Sequence, residues 1–350
     1  LVPSRGLGDV YKRQGLGGGL ENGLLDRFDY KTETFQHYDF STEMTTNMKA
    51  HFVVDILEDI NGDIWLGTHY GIHRLNIQTG IFKQYLHNPE DPKSLSHNIC
   101  TTVYKDSEGT LWFGTGLWWS QSSSGGLNRY RPETDDFDHY YHDPKNPNSL
   151  KSNIITELFE DSSNNFWVGT TNGGLHIMNK QEHSFERVSI DSKRSYQLSI
   201  PIKPTDTNTF VQFIHEDQQQ KLWIGYHNRG ITYYDPDTKR SKDYESDIND
   251  PESLPEKSVW SLYQSQDGTL WGSSTGAEGT VFKIKKRSFS NYKLSSTTNF
   301  VGSFCESIDN KLWIGTNEED LFQLDLKSNT RQFFKPKSIE IPTSIINTTI

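Results

Sequence analysis

The side chains of this sequence best suited to acting on a ligand are two adjacent tryptophans, Trp118 and Trp119, inside the polar stretch GLWWSQSSSGG at residues 116–126. A flexible polar loop offers no strand face that could bury both rings. An indole held in this way presents a flat apolar surface to the C–H face of a sugar ring, whose hydroxyls can stay in water. The competing reading folds one of the two rings back over its own sheet edge. His69, Tyr70, Asn172, Tyr226, His227, Arg229 and Glu318 occur in comparable short segments and could add hydrogen bonds, stacking or charge; taken singly, each also reads as a solvated loop residue. Hydrolysis of a glycosidic bond would need two carboxylates facing one another across a pocket. Only Glu278, Glu318, Glu319 and Asp320 lie in such loops, and the run at 318–320 reads as a solvated edge, so no catalytic residue is expected. Cys100 and Cys305 are far apart and in no metal-ligand spacing; they read as small buried hydrophobes, with no metal or cofactor expected.

The elements that must hold these loops follow from a repeat. Trp65, Trp112, Trp167, Trp223, Trp271 and Trp313 recur at gaps of 47, 55, 56, 48 and 42 residues, the length of one propeller blade. Six positions before each stands Asp59, Asp106, Asp161, Asp217, Ser265 or Ser307, and three before stands Gly62, Gly109, Asn164, Gln220, Gly268 or Asn310. This is turn chemistry: a short polar side chain bonds its own backbone, and Gly or Asn accepts positive φ. Two residues after each Trp comes Gly67, Gly114, Gly169, Gly225, Ser273 or Gly315, where a small residue lets neighbouring sheets approach. In the copy around Trp112 the pattern predicts strand a near residues 99–105, b at 110–115, c at 127–131 and d at 137–141. The expected fold is all-β: a β-propeller of four-stranded antiparallel blades.

At the ends, residues 25–38 read as strands c and d, and residues 344–350 as the start of a strand a. The expectation is therefore about seven blades, six complete and one shared by the two termini, spanning residues 15–350 as a single propeller. Residues 1–14 match no repeat and are expected to be linker or artefact. The tryptophans and the repeated Asp residues belong to the core and to equivalent turns, not to a ligand cage or a catalytic centre.

Composition narrows the partners. Hydrophobic residues are 33% of the chain and aromatics 13%, so the core must rest on large rings, and no apolar run approaches the ~20 residues that cross a bilayer. A formal net charge of −11 with interspersed signs provides no basic face for nucleic acid.

The segments Asp-Ser-Glu-Gly-Thr-Leu-Trp-Phe-Gly-Thr at 106–115 and Gly-Gly-Leu-Asn-Arg-Tyr at 125–130 closely resemble the two-component regulator propeller repeat, and the likeness returns at 161–175 and 217–231. The copy around Trp271 departs from it, with Trp271-Gly272-Ser273-Ser274 where the repeat has Trp-x-Gly-Thr. The resemblance implies the extracytoplasmic, periplasmic sensor region of a hybrid two-component histidine kinase, detecting a small polar ligand such as an oligosaccharide. It also implies that membrane attachment and kinase output reside in segments outside this sequence, with a homodimer as one expected arrangement of the full-length protein. The alternative is a propeller glycoside hydrolase or lyase. The sialidase-type box Asp-x-Gly-x-x-Trp is one residue shorter than the spacing here, and the Gly-His and Trp-Asp signatures of cytosolic scaffold propellers are missing.

Topology selects a face. In an antiparallel blade the a–b and c–d turns emerge on one side, and the b–c loops and d-to-a connectors on the other. The second side carries the long variable segments and is the expected binding face. Leu95, Leu150 and Leu254, in three connectors sharing a Pro/Ser-Leu pattern, are expected to plug the gaps between blades.

Overall fold

The computed structural model describes residues 10–13, 24–29, 34–39, 53–117, 124–188, 210–274, 280–284, 289–293, 301–307, 311–316, 321–325 and 330–334. Among these residues lie six four-stranded antiparallel sheets and one three-stranded sheet, each following chain order. The six blades have as strand a Val53–Glu58, Cys100–Lys105, Ile155–Glu160, Val211–Glu216, Val259–Gln264 and Val301–Glu306. Their b strands are Ile64–Thr68, Leu111–Gly116, Phe166–Thr170, Leu222–Tyr226, Leu270–Ser274 and Lys311–Thr316. In the second blade, c and d are Gly125–Arg131 and Asp136–Tyr140, within two residues of the sequence expectation. Each strand a packs against the strand a of the next blade, which places the a strands innermost around an axis.

The number of blades departs from the expected count of about seven: six are four-stranded, and the remaining sheet has three strands, Val10–Arg13, Leu24–Asp29 and Thr34–Asp39. Leu24–Asp29 and Thr34–Asp39 pair as the expected c and d strands. Val10–Arg13 pairs with Leu25–Phe28, so a strand from the segment set aside as linker occupies the b position. Leu25 joins Val53, Ile56 and Ile64 in one buried cluster, which docks this sheet on the first blade. Residues 344–350, expected to close the ring, lie outside the described residues.

The repeated motif is a hydrogen-bonded unit. In four blades the Asp six positions before the Trp accepts two backbone N–H groups of its own turn with one oxygen and the indole Nε1–H with the other. The indole bonds are 2.9 Å for Trp65–Asp59 and Trp112–Asp106, and 2.8 Å for Trp167–Asp161 and Trp223–Asp217. Five of the six tryptophans are buried, and Trp313, in the last blade, is half-buried. The turn glycines Gly62, Gly109 and Gly268 take positive φ as the pattern requires, and Asn164 and Gln220 adopt the same conformation with a side chain present.

Two features join blade to blade. The clusters cross the seams: Trp65, Ile72 and Tyr85 of the first blade pack with Val103, Leu111 and Phe113 of the second. A Cβ on Gly114 would stand 2.8 Å from Ile155 of the next blade, so the small residue sets the packing distance. The last residue of strand a also reaches back to the preceding blade's a–b turn. Glu160 accepts from Ser107 N at 2.6 Å, Glu216 from Ser162 N at 2.9 Å, Gln264 from Gln218 N at 2.8 Å and Glu306 from Gln266 N at 2.7 Å.

Every strand a shows a register shift between its first and third residues, a β-bulge absent from the sequence reading. In the first blade the third residue, Asp55, accepts a hydrogen bond from Val103 N of the second blade at 2.8 Å. The corresponding Glu157 lies deep in the ring, and burial followed by the nearby Asp55 charge holds its carboxyl well above the usual range.

Leu95, Leu150 and Leu254 are buried inside seam clusters, as their connectors predict. Cys100 and Cys305 are free thiols, the first buried.

Candidate functional site

On the face of the b–c loops and connectors, each described b–c loop is tied to a connector end: in the first and fourth blades to the connector that enters the next blade, in the second and third to the one that enters their own. Gly71 N donates to Asn98 O at 2.5 Å, Gly116 N to Ile99 O at 2.9 Å, Thr171 N to Ile154 O at 3.0 Å, and Gly230 N to Lys257 O at 2.6 Å. These contacts turn loops of otherwise variable sequence into a rigid rim. The connectors are self-supporting as well: the His87 and His142 rings each meet a leucine carbonyl, of Leu95 and Leu150, at 2.7 Å. Ser94, Ser149 and Ser253 cap the connector turns.

In the first four blades strand c places one polar residue beneath this rim, His73, Asn128, His176 or Thr232, where the fifth and sixth carry Phe282 and Phe322. Asn128 accepts from Ser96 N at 2.9 Å and donates to Phe113 O at 3.0 Å. His176 holds the corresponding place, accepting from Lys151 N at 3.0 Å through Nε2 while Nδ1 faces Val168 O at 3.3 Å. The ring is fully buried with Arg187 and Lys151 as its charged neighbours; burial first, then those charges, lower its pKa from 6.5 to about 4. Because the folded value is depressed, the unfolded chain binds more protons between those limits. The contribution of His176 to stability is complete above about pH 6.5 and is lost as pH falls toward 4. His176→Asn, which keeps both bonds as Asn128 does, should flatten the melting temperature over that window. An unchanged slope in thermal unfolding would assign the acid sensitivity elsewhere.

The candidate residues separate by position. His227, Asn228 and Arg229 form the b–c loop of the fourth blade. The His227 ring stacks on Phe210 at 4.7 Å and 11°, its Nδ1 lies 3.4 Å from Ser258 Oγ, and burial lowers its pKa. Asn228, with φ 62, donates its backbone N–H to Ser258 Oγ at 2.9 Å. His69 and Tyr70 lie half-buried in the first b–c loop, where Tyr70 O accepts from Gln84 Nε2 at 3.1 Å. Asn172, with φ 54, is exposed at the third loop.

Tyr226 is not a rim residue. It is 3% exposed and packs with Phe159, Trp167 and Ile224 between the third and fourth blades. It ends strand b, where other blades carry Thr68, Thr115 and Thr170, and strand alternation turns it into the seam. Trp118, Trp119 and Glu318 lie outside the described residues. The Trp118–Trp119 segment leaves strand b at Gly116, φ 130, and rejoins at Gly125, φ 146, and these two glycines pair with each other. Asn98, Lys257 and Ser258 join the rim although the sequence reading did not single them out; their position just before a strand a was the available signal.

The architecture is that of a β-propeller whose b–c loops are bonded to its connectors. The family model of the two component regulator propeller matches residues 47–70, 94–116 and 149–172, and the chain carries repeats of that family. A curated relative, Histidine kinase P4 of Formosa agariphila, is 31% identical over 91 residues, which are 25% of this chain and 6% of that protein. Among solved structures, one described as the extracellular domain of a hybrid two component system, BT3049 from B. thetaiotaomicron, superposes with a TM-score of 0.63 at 23% identity. The match covers 81% of this chain and 35% of that one. Virginiamycin B lyase from Staphylococcus aureus gives 0.59 at 14% identity, over 82% of this chain and 85% of the lyase. At these identities both structures speak for the fold alone. The chain spans about a third of the extracellular domain and a small part of the kinase.

Proposed function

We propose that this chain is part of the extracytoplasmic sensor of a membrane-bound two-component signalling protein, in the periplasm, and that it detects an oligosaccharide or similar polar ligand at the rim of its connector face. The observation that carries the reading is the coincidence of two-component regulator propeller repeats with a face on which each described b–c loop is tied to a connector end. A braced rim loses little conformational freedom when a ligand binds, which suits recognition by many weak polar contacts. The Trp118–Trp119 segment, anchored at Gly116 and Gly125, would supply the stacking platform.

Calorimetric titration against a panel of oligosaccharides tests this. Replacing both Trp118 and Trp119 by Ala is expected to weaken binding by about 1–3 kcal/mol while leaving the melting temperature nearly unchanged. Unchanged affinity for a saccharide that the wild type binds would remove this loop from the site. Cleavage of the saccharide during titration would instead favour a propeller enzyme.

A further inference from the structure

Four buried side-chain polar atoms without a hydrogen-bond partner among the described residues lie at one seam of the ring. At the second residue of strand a, the bulge position, Thr101 Oγ1 of the second blade donates to Ile155 O of the third at 2.6 Å. Its counterpart one blade on is Thr156, whose buried hydroxyl finds no such acceptor. The next counterpart, Gln212, buries both atoms of its amide without a partner. The fourth atom is the hydroxyl of Thr171, a residue 3% exposed in the b–c loop of the third blade. All three residues belong to the third and fourth blades, whose apolar side chains form one shared cluster.

They also lie at one end of that seam. Strand a enters from the connector face and is the innermost strand, so its second residue borders the mouth of the ring on that face. Phe210, two residues before Gln212, is bridged to Thr171 and accepts from His227 N at 3.0 Å, which draws the b–c loops of both blades to the start of this strand. Thr171 N donates to Ile154 O at 3.0 Å, and a Cβ on Gly116 would stand 3.0 Å from Ile154 Cα. The anchor of the Trp118–Trp119 segment therefore adjoins the connector end that holds Thr171.

The kinds of atom select the ligand. An amide offers a donor and an acceptor side by side, and a threonine hydroxyl is both. A cation would satisfy only the oxygens, and an anion only the N–H and O–H groups. A hydroxyl serves both kinds at once, and two neighbouring hydroxyls of a sugar match the two ends of an amide. The energetics agree: folding has already taken these groups out of water, so a ligand hydroxyl relieves a penalty that the free protein carries. Glu278, Glu318, Glu319 and Asp320, in the b–c loops of the fifth and sixth blades, stand against an anionic ligand on this face.

We propose that the sensed ligand is a neutral saccharide and that Thr156, Thr171 and Gln212 bind its hydroxyl groups at the mouth between the third and fourth blades. Thr156 and Gln212 are half-buried residues whose polar atoms are covered, and rotation of their side chains presents those atoms to the arriving sugar. This rests on the sensing reading above and names its ligand class and its site.

The test is calorimetric titration with short neutral oligosaccharides of glucose, xylose and mannose, alongside uronate-containing and sulfated ones, on the wild type and on Thr156→Val with Gln212→Met. At least one neutral saccharide is expected to bind, with no dependence on sodium chloride. The double substitution should weaken that binding about tenfold or more and, without sugar, raise the melting temperature, because apolar groups of similar shape replace polar ones that the free protein leaves unmatched. Thr171→Val alone should move both readouts in the same directions by less. A neutral saccharide bound equally well by the double variant would overturn the site and leave the sensing proposal standing. A lower melting temperature in that variant would overturn it too, since the groups would then hold the fold together. Binding of charged saccharides alone, screened by salt, would overturn the neutral class. Failure of every saccharide, charged or neutral, would overturn both proposals.

Discussion

Replacing Asp106 by alanine is expected to lower the unfolding free energy by about 3–5 kcal/mol, the range for removing one partner of a buried charged network. The Asp106 carboxylate has no exposed surface and four partners: Glu108 N at 3.1 Å, Thr110 N at 2.8 Å, Trp112 Nε1 at 2.9 Å and Lys180 Nζ at 3.1 Å. Alanine strands all four at once. Lys180 also holds Glu160 at 2.8 Å, and Glu160 in turn holds Ser107 N, so the damage extends across the seam of the second and third blades. Burial raises the Glu160 pKa, yet the bonds from Lys180 and Ser107 outweigh it and hold the carboxyl below its usual range, as a fully engaged carboxylate should be. Asp106→Ser should cost clearly less. The fifth blade carries Ser265 at this place and keeps the same turn, with Ser265 N to Thr269 O and Gly268 N to Ser265 O both at 2.8 Å. Denaturant unfolding of the two variants separates the turn from the indole and Lys180 bonds, which both variants lose; equal losses would mean that the turn bonds carry no stability and that the whole loss lies with Trp112 and Lys180.

Gly230→Ala is expected to cost about 2–5 kcal/mol, combining left-handed backbone strain with overpacking. Gly230 has φ 77, and an added Cβ would overlap the Tyr244 carbonyl oxygen and lie 3.0 Å from Leu254 Cδ1. The carbonyl belongs to the backbone of the paired strand and cannot step aside as a flexible side chain would. The substitution also pushes on the bond from Gly230 N to Lys257 O, so it should disturb the Arg229 loop along with stability. Gly80→Ala provides the control. Its φ is 73 but nothing lies within 4 Å of the added Cβ, so only the backbone strain of roughly 1–2 kcal/mol remains. Similar losses for the two variants in chemical denaturation would show that steric overlap at the rim has relaxed and that the loop is not rigidly held.

The sequence by itself determined the blade and its repetition. Aromatic residues at fixed spacing, turn residues with short polar side chains, and small residues at the seams each depend on local geometry, and local geometry is what a one-dimensional pattern records. The spacing of six between Asp and Trp was equally visible in four copies; its meaning was not, because the indole bond forms only when a hairpin brings the two side chains to the same side. The connector leucines were legible for the same reason as the tryptophans, since an apolar residue in a polar segment must find a seam to fill.

Tertiary structure decided the rest. Val10–Arg13 matches no repeat, yet it forms a strand, because backbone pairing with Leu25–Phe28 asks little of side-chain pattern. Tyr226 read as a loop residue from its neighbours His227 and Arg229; the strand runs one residue further than that reading and rotates the ring into the seam between blades. The bulge in each strand a, and the reach of Glu160, Glu216, Gln264 and Glu306 to a neighbouring turn, link residues about 40 to 55 positions apart, and only the curvature of the ring brings such pairs within hydrogen-bond distance. The rim follows the same logic: Gly230 and Lys257 lie in different repeats, and the bonds from Gly230 N to Lys257 O and from Asn228 N to Ser258 Oγ lace one blade to the next.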